Sequence, residues 1–327
     1  MERIDLVWFA VVNPHAGSGK TLSLWQKAET LIRQKQIPYE YRTTDCKFHA
    51  TEMAYSAAKE GFRKFIAVGG DGTVHEVLDG IMHCISDMSL KGESVTLSDF
   101  TLAVIPIGSG NDWIKSHHVP YDVGEVVDMI ADGSFSMQDI VKVSASDPVS
   151  GAERTRFSYM INIGGTGLDS RICERVNVQK DAGKSGKLLY VKSLIYNLIH
   201  SKIFSARVEC DGKTIYRGKC LSIAFGIGKY SGGGFRQTPE AIMDDGLTEV
   251  TVIPPLPIHR MVVAACRLVD GTFLKLKEVV SCRCHAVSVF PEDGVAGEIV
   301  EVDGEIVGAV PVTLENLPQR LQVLHKD

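Results

Sequence analysis

Near the start of the chain, short apolar runs recur at Leu6–Val12, Phe65–Val68 and Thr101–Ile105. Each ends on glycine, asparagine or proline, the pattern of a strand buried on both faces. The residues behind the first two runs switch to helical spacing: Leu22, Leu24, Trp25, Ala28, Leu31 and Ile32, then Val74, Val77, Leu78, Ile81 and Met82. Between them Tyr39–Thr43 predicts a strand and His49–Gly61 a helix that stops on glycine. Strand and helix alternate to about residue 132, which predicts an open α/β sheet with parallel strands. Beyond Asp132-Gly133 the period shortens to that of strands. Gln138–Ala145, Arg154–Ile163, Phe204–Cys210, Lys219–Gly226, Leu247–Ile253 and Val279–Phe290 read as strands, interrupted by only two helical stretches, Lys187–His200 and Ile258–Asp270. The predicted fold class is therefore α/β plus mainly β, an open parallel sheet followed by an antiparallel β-sandwich.

Composition excludes more than it selects. At 327 residues the chain has room for two cores, and 44% hydrophobic with 23% charged residues is ordinary for a globular protein. A net charge of −5 gives no global basic footprint, so no nucleic-acid partner is expected. Eight cysteines show no CxxC, and Cys282-Arg283-Cys284 is the one close pair, which reads as reduced thiols rather than a zinc ribbon. The N-terminal residues lack a signal-peptide pattern and no run reaches the length of a membrane span, so the expected location is cytoplasmic, with any membrane contact peripheral.

The loops at the predicted strand ends carry the chemistry. Gly69-Gly70-Asp71-Gly72-Thr73 joins a strand to a helix, where glycines let backbone N–H groups approach an anion and the helix start favours it. Asp71 makes sense among phosphate-seeking amides if Mg²⁺ lies between the negative groups; the plain alternative is a turn with Asp71 or Thr73 as N-cap. Gly108-Ser109-Gly110-Asn111-Asp112 repeats the design. Pro14–Thr21 nearly matches GxxxxGK[ST], but proline stands where its first glycine belongs, which disfavours a P-loop NTPase. Three such loops at successive sheet ends point to a nucleoside triphosphate with its metal. Asp303-Gly304-Glu305 reads either as a carboxylate source for proton transfer or as a hairpin with solvated acids. Asp244-Asp245-Gly246 alone reads as a turn. His117-His118 has no third ligand at zinc spacing.

Asn13-Pro-x-Ala-Gly, GGDGT followed by Glu76, and Gly108-Ser-x-Asn-Asp resemble the ordered motifs of the diacylglycerol kinase catalytic-domain family. Within it the match looks like the soluble bacterial lipid kinases, related to sphingosine kinases and, distantly, NAD kinases. Gly226–Val250 and Val302-Asp303-Gly304-Glu305 extend the resemblance to residue 305. The resemblance implies an ATP site at Asn13, Pro14, His15, Ala16, Gly17, Thr44, Gly69, Gly70, Asp71, Gly72, Thr73, Val74, His75 and Ser109. It implies that Asp71 organises phosphates and Mg²⁺, that Asp112 supports catalysis beside it, and that Glu305 is the general base with Asp303 close by. It also implies a structural Mg²⁺ at Asp245 with backbone carbonyls near Ile242 and Leu247. Serine at 109, tryptophan at 113 and histidine at 75 depart from the commoner threonine, phenylalanine and asparagine. The implied domains are a nucleotide-binding domain at 1–134, to which 313–327 returns through a strand near Arg320–Leu324, and a β-rich lipid-substrate domain at 135–312.

The implied activity is γ-phosphoryl transfer from Mg-ATP to a lipid alcohol, such as diacylglycerol or a sphingoid-type lipid, entering between the domains. The alternatives are NAD-kinase-like transfer to a soluble acceptor and a non-catalytic nucleotide-binding regulator. Leu188–Ile203, flanked or interrupted by Lys184, Lys187, Lys192 and Lys202, reads as a core-facing helix with solvated lysines or as a segment at a peripheral membrane surface. The acceptor lipid and the oligomeric state stay open.

Overall fold

The first apolar run forms β1 (Trp8–Val12), and all of its residues are buried. The computed structural model describes residues 3–108, 110–147, 151–181, 192–193, 196–197, 200, 202–292 and 297–326. It divides into two units, Met1–Gln138 with Gln319–Asp327, and Asp139–Pro318.

In the first unit β1 sits between β2 (Tyr39–Thr43) and β3 (Lys64–Gly69), and β3 pairs with β4 (Thr101–Pro106), all in parallel. The C-terminal strand Leu321–Leu324 adds parallel to β4, with Gln322 opposite Thr101 and the two side chains hydrogen-bonded at 2.7 Å. β5 (Phe135–Gln138) closes the sheet antiparallel to that strand. The continuous apolar sequence of β3 and β4 follows from this placement, since helices cover both faces of such a sheet. Helix α1 (Thr21–Gln34) buries Trp25, Ala28 and Ile32, the stripe its spacing predicts. Helix α2 (His49–Glu60) ends on Gly61 at φ 111°, where a left-handed residue closes the last turn. It crosses α3 (Asp71–Leu90) at Gly80, where an added Cβ would lie 2.4 Å from the Thr51 carbonyl oxygen. Glu76 on α3 accepts the Ala50 N–H at 3.2 Å and so supplies the N-terminus of α2 with an acceptor. Short α4 (Trp113–Ser116) and α5 (Val123–Asp132) follow β4, α5 being capped by the Asp122 carboxylate on Gly124 and Glu125 N–H.

The second unit is built on a large antiparallel sheet. Its strands are β6 (Val141–Asp147), β7 (Gly151–Met160), β8 (Ile163–Gly167), β9 (Phe204–Cys210), β10 (Lys213–Cys220) and β11 (Ser222–Gly226). After a two-residue pair, β12 (Tyr230–Ser231) and β13 (Phe235–Arg236), come β14 (Thr248–Ile253), β15 (Val280–Cys284), β16 (Ala286–Pro291), β17 (Ile299–Val302) and β18 (Glu305–Asn316). The order β10-β9-β16-β18-β17-β8-β11-β14-β15, with β6 on β18 and β7 on β6, folds over one core of Val143, Phe225, Val250, Val289, Val300 and Leu314. That is the expected sandwich of antiparallel strands.

Three expectations need correction. Helix α6 (Leu168–Asp181) interrupts the strands where no helix was expected. Val279–Phe290 is two strands: β15 pairs with β14, whereas β16 pairs with β9 and β18. The break falls at His285, because Asp211 accepts the N–H groups of both His285 and Ala286 (3.1 and 2.9 Å) and turns the chain. Gln138 ends β5 of the first sheet instead of opening a strand of the second. Ile258–Asp270 is helical as α7 (Ile258–Arg267), while most of Lys187–His200 lies outside the described residues. All eight cysteines are free thiols. Among the described residues no helix is long and apolar enough to cross a membrane.

Candidate functional site

Parallel strands deliver their C-terminal ends to one edge of the first sheet. The backbone there is stitched loop to strand: Thr44 N–H bonds Val12 O (2.9 Å), Asn13 N–H bonds Val68 O (3.0 Å) and Ile107 N–H bonds Gly69 O (2.7 Å). Thr44, Asn13, Gly69 and Gly108 therefore stand in one row. The Asn13 amide donates to Thr73 Oγ1 at 3.1 Å and accepts the His15 N–H at 3.0 Å, tying the first loop to the start of α3. Pro14 is half-buried and His15 exposed, and Ala16–Gly19 form one 3-10 turn.

Glycine is required where these loops touch. A Cβ on Gly69 would lie 2.3 Å from Thr73 Oγ1, and one on Gly17 would lie 2.6 Å from the Ile107 side chain. A Cβ on Gly108 would meet Asn111 Oδ1 at 2.6 Å. The surface is consequently backbone, the material from which anion sites are made. Thr73, Val74 and His75 are buried, and the N–H groups of Thr73 and Val74 already bond Gly70 O. The stretch suited to an anion is thus Gly69–Gly72. His75 points into α3 packing, with Nε2 3.4 Å from the Asp79 carboxylate.

Asp71 reaches across to the next loop. Its carboxylate accepts the N–H of Asp112 at 2.9 Å and of Trp113 at 3.3 Å, which caps α4 from another element. Asp112 is 5% exposed and its carboxylate is paired with Lys115. The two acids flank Gly110, where an added Cβ would be 3.6 Å from an Asp71 oxygen and 3.7 Å from an Asp112 oxygen. Asn111, at φ 46°, holds a buried Oδ1 with no protein partner between Gly70 and Gly108. Ser109 lies outside the described residues. A glycine-lined backbone, a pair of carboxylates and an orphaned buried acceptor fit a phosphate group with its Mg²⁺. Asn111 entered the sequence reading as the amide of the fourth loop's motif; Lys115 was not singled out, and its one signal was proximity to Asp112.

The second unit holds its own carboxylates. Asp303, at φ 52°, accepts three backbone N–H groups, from Ile161, Asn162 and Ile163, at 3.0, 3.0 and 3.2 Å. It therefore fixes the turn that presents Glu305, the first residue of β18. Glu301, unmarked by the sequence reading, is 8% exposed, accepts the Gly304 N–H at 3.0 Å and is pushed well above the usual carboxyl range by burial and by the nearby Asp169 charge. Asp169 rises to about 6 through burial, against hydrogen bonds from Ser222 and Gln237. The one sequence signal for Glu301 was a charge inside the apolar run Ile299–Val302.

Asp245 is differently placed. One of its oxygens accepts the Leu247 N–H at 3.1 Å and the other is paired with the Arg283 guanidinium; Ile242 is 45% exposed. The carboxylate thus already faces a cationic side chain, with which an ion at this turn would have to compete.

The comparisons agree with this architecture. The family described as "Diacylglycerol kinase catalytic domain" matches residues 7–143, and "YegS C-terminal NAD kinase beta sandwich-like domain" matches residues 162–325. A Bacillus subtilis protein named "Diacylglycerol kinase" is 24% identical over 310 residues, 94% of this chain and 93% of its own length. A Xanthomonas euvesicatoria protein named "Probable lipid kinase YegS-like" is 24% identical over 320 residues, 97% of this chain and 95% of its own. The crystal structure of a diacylglycerol kinase from Bacillus anthracis shares the fold with TM-score 0.68 at 18% identity, covering 100% of this chain and 98% of that one. With both family domains matched in order, the chain belongs to the diacylglycerol kinase catalytic-domain family, in its YegS-like bacterial lipid kinase branch.

Proposed function

We propose that the protein is a lipid kinase that transfers the γ-phosphoryl group of ATP to the hydroxyl of a lipid alcohol of the diacylglycerol or sphingoid type. The observation that carries this reading is the Asp71 carboxylate, held beside Asp112 on a row of glycine loops at the sheet edge. The names of the relatives favour a lipid acceptor over a soluble one.

In this reading Asn13–Gly17, Thr44, Gly69–His75 and Ser109 surround the nucleotide, with Gly69–Gly72 supplying backbone N–H groups to its phosphates. Asp71 would hold Mg²⁺, which when bound offsets charge on the β and γ phosphates. Asp112, itself paired with Lys115, supports catalysis beside Asp71. Glu305 takes the proton from the attacking alcohol, a role worth about 10²–10⁴-fold in rate. Asp303 holds the Glu305 turn through its three N–H bonds and is a positioning residue. A lipid substrate implies work at a membrane surface from the cytoplasmic side, by peripheral contact.

The test is transfer of labelled γ-phosphate from ATP and Mg²⁺ to a panel of detergent-dispersed lipids, with NAD as a soluble acceptor. Label in one lipid class establishes the kinase and names the acceptor. A second reading, phosphorylation of a soluble acceptor, draws on the NAD-kinase-like character of the sandwich; label in NAD alone would select it. ATP binding without label in any acceptor would favour a nucleotide-binding regulator.

A further inference from the structure

The turn Asp244-Asp245-Gly246 is held from three sides. Gly246 N–H donates to Asp139 at 2.5 Å, His285 Nδ1 lies 2.9 Å from Gly246 O, and Leu247 N–H donates to Asp245 at 3.1 Å. The remaining Asp245 oxygen meets the Arg283 guanidinium. Arg283 is directly cross-strand from Glu249, on β15 against β14. Glu249 is fully buried and uses one carboxylate oxygen to accept the Glu240 N–H at 2.7 Å, fixing the segment that precedes the turn. Arg283 therefore pairs with the acid of the turn from a strand position beside Glu249, the acid that holds the preceding piece of the same loop. Its Nε–H is buried without an acceptor, so charge, rather than a full set of hydrogen bonds, is what this side chain contributes there.

We propose that the Arg283 guanidinium is the resident cation of the Asp245 turn, doing internally what a structural divalent ion would do. The chemistry favours this assignment. Arginine stays protonated at all relevant pH values and matches carboxylates through its planar fork. Mg²⁺ demands near-octahedral oxygen ligands and dehydrates reluctantly. Here a fixed positive charge occupies the approach to the Asp245 carboxylate. The inference concerns the second unit's architecture and stands whether or not the kinase reading does.

The experiment uses nucleotide-free full-length protein. Bound Mn²⁺ is counted by paramagnetic resonance, and melting temperature is followed with added Mg²⁺ or EDTA at constant ionic strength. The wild type should show no Mn²⁺ site that Asp245→Asn removes, and no change of melting temperature with EDTA. Arg283→Met, which keeps bulk and loses charge, should melt lower than Arg283→Lys and should gain a Mn²⁺ site that Asp245→Asn abolishes. An Asp245-dependent Mn²⁺ site in the wild type would overturn the proposal, as would an Arg283→Met protein as stable as the wild type. If Arg283→Met does not fold, the wild-type and Asp245→Asn titrations decide alone.

Discussion

Asp71 and Asp112 belong to different loops, yet the Asp71 carboxylate accepts the Asp112 backbone N–H at 2.9 Å while the Asp112 carboxylate turns to Lys115. The bond fixes where the first acid points and caps the short helix carrying the second. Asp71→Ala should abolish phosphoryl transfer, and losing two capping bonds should cost about 1–2 kcal/mol of stability. Asp71→Asn keeps an acceptor for the cap but loses the charge. We expect it to melt near the wild type and to remain inactive, checked by pairing the label-transfer assay with thermal unfolding. Substantial turnover in Asp71→Asn would remove the metal-holding role.

Asp303 and Glu305 are two residues apart and should fail in different ways. Glu305→Gln should lower turnover by about 10²–10⁴-fold with ATP affinity and melting temperature nearly unchanged. Asp303→Asn replaces an oxygen that accepts N–H bonds with an NH₂ group facing the same donors. It should cost about 1–3 kcal/mol of stability, read by chemical denaturation. Near-normal turnover in Glu305→Gln would take that residue out of the base role.

His117 gives the first unit an acid-sensitive point. It is 1% exposed; its Nε2 lies 2.6 Å from Gln138 Oε1, which also accepts the Trp113 indole N–H at 2.9 Å. The shared acceptor places the His117 proton on Nε2 and leaves Nδ1 to face His325 Nδ1 at 3.3 Å. Burial lowers its pKa from 6.5 to about 3, with the His325 and His118 charges acting in the same direction. Between those values the unfolded chain binds the proton and the native one does not. Stability should therefore hold above pH 6.5 and fall on acidification, by about 2 kcal/mol at pH 5. All three tryptophans, Trp8, Trp25 and Trp113, lie in this unit, so fluorescence-monitored denaturation reads it directly. An unchanged pH slope in His117→Gln would show that another group is responsible.

What could be read from the sequence depended on how local the cause was. The strands β1, β3 and β4 announce themselves because burial on both faces leaves no room for polar residues, and the glycines after them mark loops that do stand side by side. Helix α6 was hidden because only Leu168, Cys173, Ser170 and Val176 of its described residues are buried, too narrow a stripe against a polar background. The strand break at His285 is set by Asp211, and the pairing of Asp245 by Arg283, contacts 74 and 38 residues apart. The Asp71 cap spans 41 residues. No local pattern encodes such partners, so a motif shows which acids gather but not what each one holds.

Glu249 should give the second unit the opposite pH response. It is fully buried on β14, and burial raises its pKa from 4.5 to about 7 although the Glu240 and Ala241 N–H groups and the Arg283 charge pull it down. Between 4.5 and 7 the native state holds a proton that the unfolded chain has released. Native stability is then greatest below the unfolded value and declines as pH rises through the folded one, by about 3 kcal/mol across the window. Glu249→Gln makes the neutral form permanent while keeping an acceptor for the Glu240 N–H, so it should remove most of that decline and stabilise the unit at pH 8. Hydrogen exchange of the β14 and β15 amides, followed from pH 5 to pH 8 after correction for intrinsic rates, separates this unit from the first. Protection that falls equally with pH in wild type and Glu249→Gln would assign the slope to Glu301 or Asp169, whose buried carboxyls shift in the same direction.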